Sequence, residues 1–439
     1  MFDDFLAFIH KNDLINAEDR ILLAVSGGID SVIMAHLFAK SEYTFALAHC
    51  NFKLRGEEAE KDADFVKALA DSLGVPCFLK TFETKKYAKA HGLSTQLAAR
   101  QLRYHWFETL LQKEGYQRIA TAHHINDSIE TTLYNLAKGT AIRGMVGIPI
   151  RQGKIIRPLL YATRDEIEQY ARQYDLNWRE DSSNRENHYA RNLIRNKIIP
   201  RLKEINPQLE ETFKNTLMRL RSTMQLLEEE VRQFKAAHTV QQGVDLYIDK
   251  EALKGATVAV IDELLKEYQF NFSQVVEIKE GLDGTSKIFD SPDFRLNIDR
   301  QDVIISPLSL QQAENGLIQQ DQHIFSNKLF TLEIKKKKAK GNLIYDKMVA
   351  SLDYEKLNFP LIVRKWQDGD QFVPLGMKGK KKLSDFMIDN KIPLNLKERI
   401  YVLESAGDIV WVIGQRIDDR YKIRPETNRM LKVLLTYHD

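Results

Sequence analysis

The chain has 439 residues, 64 Lys and Arg against 61 Asp and Glu, and an isoelectric point near 8.5. That length predicts two or three domains, and the near balance of charge excludes a polyelectrolyte chain while leaving room for local basic patches. Two cysteines, Cys50 and Cys77, exclude a disulfide framework, a C-x-x-C pair and a cysteine-built zinc site.

The opening run MFDDFLAFIHKNDL places acidic residues where a secretory signal carries basic ones, and its apolar positions are too interrupted for a membrane span. A soluble, cytoplasmic protein is expected. From Ile21 onward, apolar strand-like runs (ILLAV, YTFALAHC, CFLKTF, RIATAHH) alternate with helical patterns (SVIMAHLFAK, EEAEKDADFVKALADSLG, STQLAARQLRYHWFETLLQKEG). Such alternation predicts βαβ units, hence an α/β catalytic domain with a doubly wound parallel sheet over residues 1–205. Asn206-Pro207 then reads as the start of a helix. Its seam of Phe213, Leu217, Leu220, Met224, Leu227, Val231 and Phe234 predicts a linker helix over 206–236 that packs on a neighbour. A central domain without chemical signature is expected over 237–310, followed by the polar linker QQAENGLIQQDQH. The last domain, 320–439, should carry strands through FTLEIKKKK, LIVRKW, IVWVIGQRI and LKVLLTY and a helix through KKLSDFMIDN, giving smaller α+β modules.

The first chemical signal is Ser26-Gly27-Gly28-Ile29-Asp30-Ser31, directly after the buried-strand run ILLAV. Strand, glycine turn, helix is a phosphate-binding geometry. Gly27 and Gly28 lack a Cβ and let backbone N–H groups approach an anion, the next helix offers unpaired donors, and the hydroxyls of Ser26 and Ser31 can add hydrogen bonds. No Lys follows the glycines and no G-x-G-x-x-G is present, so neither a Walker A loop nor a dinucleotide fingerprint is at hand.

SGGxDS after a first strand resembles the pyrophosphate loop of the N-type ATP pyrophosphatases. The resemblance implies that ATP is split between its α and β phosphates, that AMP is attached to a substrate oxygen, and that a nucleophile then displaces it. It also implies that Asp30, the loop's carboxylate, helps hold Mg²⁺.

The second signal is His123-His124-Ile125-Asn126-Asp127-Ser128-Ile129-Glu130-Thr131, where the strand RIATA runs into a helix. Polar residues at that junction lie at the carboxyl edge of a parallel sheet, the edge that also carries the glycine loop. Asp127 and Glu130 are three apart and share a helix face, able to present two carboxylates to Mg²⁺ or to an amine. The string AHHxxDxxET, followed by KGTAIRGMVGIP and IIRPLL, is similar to the pattern of the tRNA(Ile) lysidine synthetases within that larger family. Many members carry adjacent aspartates there, whereas Asn126 precedes Asp127 here, so no carboxylate role passes to position 126.

That resemblance implies an enzyme that uses ATP to adenylate O2 of the wobble cytidine in the CAU anticodon of tRNA(Ile), after which the ε-amine of free L-lysine attacks carbon 2 to give lysidine. It sets His123 and Asp127 against the adenylated base and the incoming amine. Further matches are His49, Asn51 and Arg55 in HCNFKLRGEE, Arg100 and Arg103 in ARQLRY, and the run DSSNRENHYARNLIRNKIIPRL. In that run Arg191 and Arg195 share a predicted helix face and suit leaving pyrophosphate or an RNA phosphate.

Residues 360–439 hold fifteen Lys and Arg against eleven Asp and Glu, with Lys378, Lys380, Lys381 and Lys382 concentrated on one glycine-containing loop. RKWQDGDQFVPLGMKGKKKLSDFMIDNKIP resembles the C-terminal tRNA-binding domain of the long-form enzymes, which implies phosphate contacts for those lysines. Three competitors share parts of the pattern. They are a tRNA thiolase, which would need paired cysteines, an amidating synthetase for small molecules, and a non-catalytic tRNA-binding protein.

Overall fold

The structure, a computed structural model, describes residues 1–179, 190–309, 314–339 and 346–438. The chain divides into two compact units, Met1–Gln225 and Leu226–Asp439.

In the first unit, strands β1 (Arg20–Ala24), β2 (Thr44–Asn51), β3 (Cys77–Thr81), β4 (Arg118–Thr121), β5 (Arg151–Gln152) and β6 (Ile155–Ile156) form a sheet in the order β3-β2-β1-β4-β6-β5. Four of the five pairings are parallel, and the β5–β6 hairpin is antiparallel. The expected doubly wound sheet is present. Helices α1 (Ile29–Ala39), α2 (Glu57–Leu73), α3 (Thr95–Glu114), α4 (Ile125–Lys138) and α5 (Arg164–Gln173) connect or cover these strands. Burial on both faces explains why β1 is apolar from Ile21 to Ala24. Ile21 and Leu23 pack with Ile33 and Leu37 of α1 on one face, while Leu22 packs with Phe107 and Leu110 of α3 on the other.

β1 is flanked by β2 on one side and β4 on the other, so the strand order reverses there and a crevice opens above the carboxyl ends of β1 and β4. The glycine loop leaves β1 and the histidine run leaves β4. Both chemical signals therefore meet at one edge.

Helix α6 spans Leu209–His238. It starts three residues later than the sequence pattern suggests, because Asn206 closes the preceding helix Ile199–Ile205 and its side chain accepts from Gln208 N–H at 3.0 Å. All seven seam residues are buried or half-buried. Leu217 lies in the first unit, and Val231 and Phe234 join the core of the second.

The second unit holds an antiparallel sheet of β7 (Thr239–Gln242), β8 (Asp245–Asp249), β9 (Lys287–Asp290), β10 (Phe294–Ile298) and β11 (Asp302–Pro307), in the order β7-β8-β11-β10-β9. Its later part includes β12 (Gly316–Ile318), β13 (Ile324–Ser326), β14 (Phe330–Lys338), β15 (Val349–Asp353), β16 (Leu361–Lys365), β17 (Gln371–Phe372), β18 (Lys381–Lys382), β19 (Tyr401–Ser405), β20 (Asp408–Val412), β21 (Arg416–Ile417) and β22 (Arg429–Tyr437), with helix α7 at Leu383–Asp389. The two parts are tied together by the nearly buried pair Arg399–Asp245 at 2.8 Å and by Arg295–Glu398 at 2.8 Å. The polar stretch expected to be a linker is structured from Gly316, because Ile318 is buried and β12 pairs with β16. Local polarity hid a strand whose partner lies more than forty residues away.

Candidate active site

At the end of β1 the backbone turns through Gly27, whose φ of +94° is open to glycine and strained for an L side chain. The loop is stapled by its own serines. Ser26 N–H donates to Ser31 Oγ at 3.2 Å, Ser31 Oγ–H donates to the Gly28 carbonyl at 2.8 Å, and Gly28 N–H lies 3.3 Å from Ser26 Oγ. Ser31 is thus largely spent on shaping the turn, and Ile29 is buried beneath it in the core.

Asp30, in the first turn of α1, receives Arg164 Nη1 at 3.0 Å and lies 3.8 Å from His124 Nε2. The same histidine nitrogen is 3.6 Å from Asp127 Oδ2, so His124 stands between two carboxylates that belong to different strand ends. Its Nδ1 is buried with no hydrogen-bond partner among the described residues. Asp127 also caps α4 by accepting the His124 backbone N–H at 2.9 Å. Burial pushes the Asp127 carboxyl up, but His124, His123, that amide and Arg195 outweigh it and hold the group below the usual carboxylate range. Asp30 goes the other way: burial raises it, with His124 and Arg164 opposing.

Arg195 closes the cluster. Its Nε and Nη2 grip Glu130 at 2.5 and 3.0 Å, and Nη2 reaches Asp127 at 3.5 Å. Glu130 is almost fully buried, and that burial raises its carboxyl despite the guanidinium. Arg195 sits in a π-helical stretch, Ile194–Ile198, so its angular relation to Arg191 in Ala190–Leu193 departs from the simple helical face read from the sequence. Arg191 is exposed. Residues 181–189 of the same run lie outside the described residues.

His123 meets the Thr121 hydroxyl at 3.0 Å, and burial pushes its imidazole down to about 4, so it is neutral near pH 7. His49 is buried below the loop, donating Nδ1–H to the Val25 carbonyl at 2.9 Å. That bond braces the turn from below. Arg55 pairs with Asp62 at 3.1 Å. On α3, Arg100 stacks over Tyr104 and Arg103 over Phe52, at 5.0 and 5.3 Å. Arg103 is close enough to depress both His49 and His123. Asn126 bridges elements instead of facing the crevice. It accepts Arg164 N–H at 3.0 Å and donates to Glu210 of α6 at 3.0 Å, an arrangement in which a second carboxylate would repel Glu210.

Arg164, Asp62 and Arg179 were not singled out by the sequence reading, and His124 was part of the histidine run without a role of its own. Arg164 had a local signal, the capping box Thr163-x-x-Glu166 that starts α5 at the crevice. In the second unit Lys378 and Lys380 are exposed on their loop, whereas Lys381 and Lys382 belong to β18, because they pair with β17; Lys382 is exposed and Lys381 is paired with Asp389.

The cysteines are far from forming a pair. Cys77 lies beside Leu47 in the β2–β3 register, three residues from Cys50, which sets them roughly 10 Å apart on opposite faces. Burial raises the Cys50 thiol to about 12. Sulfur relay through this pair has no geometric basis.

Comparison with known proteins gives the chain its family. Residues 3–202 match the PP-loop domain model, 241–308 the TilS substrate binding domain and 361–433 the TilS substrate C-terminal domain. The tRNA(Ile)-lysidine synthase of Bacteroides thetaiotaomicron is 36% identical over 97% of both chains. The chain belongs to the tRNA(Ile)-lysidine synthase family. The enzyme of the same name from Parabacteroides distasonis is 37% identical over 97% of this chain and 98% of its own. Among solved structures, a U34-tRNA thiolase from Methanococcus maripaludis is similar at 16% identity and a TM-score of 0.42, covering 50% of this chain and 78% of that one. Likeness at that level decides nothing about the nucleophile. As a member of this family the protein is an ATP-using ligase that acts on tRNA.

Proposed function

We propose that this active site joins the ε-amine of free L-lysine to carbon 2 of the wobble cytidine in CAU-anticodon tRNA(Ile). The observation that supports it most is the chain of contacts Asp30–His124–Asp127–Arg195–Glu130 across the carboxyl ends of β1 and β4, beside the glycine loop. ATP phosphates lie on the loop and the N-terminus of α1, O2 of the base attacks the α-phosphorus, and pyrophosphate leaves with its electron pair. The ε-amine then attacks carbon 2, loses a proton, and AMP departs.

Asp127 suits orienting the amine better than deprotonating it. A carboxylate held below its usual range is a weak base but a good partner for a cation, and lysine arrives as one. Glu130, raised by burial, is the nearby group better matched to accepting a proton, whereas His123, held neutral by burial, suits contact with the uncharged base. Arg195 offsets charge on the departing phosphate. Asp30 and Asp127, whose carboxylates lie 3.8 and 3.6 Å from His124 Nε2 beside the glycine loop, are the hard oxygen ligands that would hold Mg²⁺. When bound there with phosphate oxygens, the ion would offset charge on the triphosphate. The lysines of the 378–382 segment contact the tRNA backbone. No described helix is long and apolar enough to cross a membrane, and we place the enzyme in the cytoplasm.

The test supplies ATP, Mg²⁺, labelled lysine and tRNA transcripts with CAU or another anticodon. Label on the CAU transcript with stoichiometric AMP is expected. ADP release, or label without anticodon preference, would sink the reading.

A further inference from the structure

The charges around the glycine loop do not end at Asp30. Asp62, on α2, is 6% exposed and carries two arginines on its two oxygens: Arg179 Nε donates to Oδ1 at 2.6 Å and Arg55 Nη2 to Oδ2 at 3.1 Å. Arg179 is tethered to the loop itself, its backbone N–H donating to the Gly27 carbonyl at 2.9 Å. One turn further along α2, Phe65 and Val66 fill the space where a Cβ on Gly27 would lie, at 3.5 and 3.9 Å. One helix face thus braces the loop and holds both guanidiniums. Arg55 and Asp62 also both act on His49, which is bonded to Val25 just before the loop. The whole group lies against residues 25–27.

Two guanidiniums converge on one buried carboxylate, beside a loop whose six residues contain no lysine. A P-loop of the Walker type supplies positive charge from within its own sequence; here it has to come from elsewhere in the fold. Arginine is the suitable cation, since its planar fork can bond a carboxylate through one edge and phosphate oxygens through another. Without Asp62 the two arginines would repel each other and swing out to solvent.

We propose that Asp62 is a positioning residue that presents Arg55 and Arg179 to the β- and γ-phosphates of ATP and retains them on pyrophosphate after adenylation. The inference rests on the glycine loop being the phosphate site, not on lysine being the nucleophile. It makes Arg179 a phosphate ligand contributed from just beyond α5.

The test is pyrophosphate and ATP binding by calorimetry to the full-length enzyme, with neither tRNA nor lysine present, so a failed lysine-transfer assay leaves it intact. Asp62→Asn should weaken pyrophosphate binding by about tenfold or more and raise KM for ATP, with KM for lysine unchanged. Arg179→Gln should do the same, and the two changes together should lose little more than either alone, as expected of groups acting as one unit. Asp62→Glu should restore part of the affinity. If Asp62→Asn lowers thermal stability but leaves pyrophosphate affinity at the parent value, the residue is only structural and the proposal fails. Should Asp62→Asn not fold, Arg55→Gln and Arg179→Gln decide alone. Parent-like pyrophosphate affinity in both would overturn the clamp.

Discussion

Arg164 and Arg195 of the first unit each end on a carboxylate within 3.0 Å, whereas Lys378, Lys380 and Lys382 of the second stand in solvent with no carboxylate partner among the described residues. The difference matches the two tasks proposed for these regions. A reacting phosphate must be met at a set position, so its partners are held by opposite charges in partly desolvated surroundings, where electrostatic interactions are strong and need no rearrangement. A nucleic-acid backbone offers many equivalent phosphates, and solvated lysines on a loop can follow it at the cost of sensitivity to salt.

The sharpest way to break this comparison is at Asp127. Asp127→Asn keeps the cap on the His124 amide while removing the charge, so the fold should persist and lysine incorporation per enzyme should fall by about a hundredfold or more. Unchanged turnover in a steady-state assay with labelled lysine would remove Asp127 from the chemistry. Next comes Arg195→Met, which strands the buried Glu130 carboxylate. A loss of about 2 kcal/mol is expected by denaturant titration, less than for a fully buried pair because Arg195 is 41% exposed, and adding Glu130→Gln should return most of it.

On the second unit, replacing Lys378, Lys380 and Lys382 together by Ala should weaken tRNA binding by roughly tenfold near physiological salt. It should also flatten the dependence of log K on log salt by about 0.7–0.9 for each phosphate that no longer has a lysine against it. ATP–pyrophosphate binding without tRNA should not move; if it does, the loop is not a separate RNA-binding element. The smallest effect is one of pH. His123 stays neutral in the fold down to about 4, while in the unfolded chain it takes a proton near 6.5. Unfolding therefore binds a proton in that window, and stability should decline as pH falls through it, with a slope of up to about 1.4 kcal/mol per pH unit. His123→Gln should flatten the curve between pH 6 and 4, leaving the share owed to His49, which burial lowers as well. An unaltered slope in equilibrium unfolding would show that His123 titrates normally.

The strand–loop–helix order of the first unit was legible because each step is local. A buried strand is apolar on both faces, its loop needs glycine at a positive φ, and a helix start needs a cap, all within a few residues of one another. The seam on α6 was legible for the same reason, since 3.6-residue periodicity needs no knowledge of the partner. By contrast β12 was hidden in polar sequence, and the shared helical face expected for Arg191 and Arg195 gave way to a π-helical stretch. Both misses arise where distant partners, rather than local propensity, choose the backbone.

The glycine loop, the histidine run and their common sheet edge could thus be determined from sequence alone, because strand order and handedness leave few alternatives once the alternation of elements is clear. Tertiary structure decided which charges meet. His124 between Asp30 and Asp127, Arg195 on Glu130, and Asp62 holding Arg55 to Arg179 join residues separated by up to 117 positions. Only the fold can choose such pairs, since a carboxylate in sequence has no mark of the cation it will face. The separation of Cys50 from Cys77 was settled the same way, by a β-sheet register that places neighbours in space without regard to their distance along the chain.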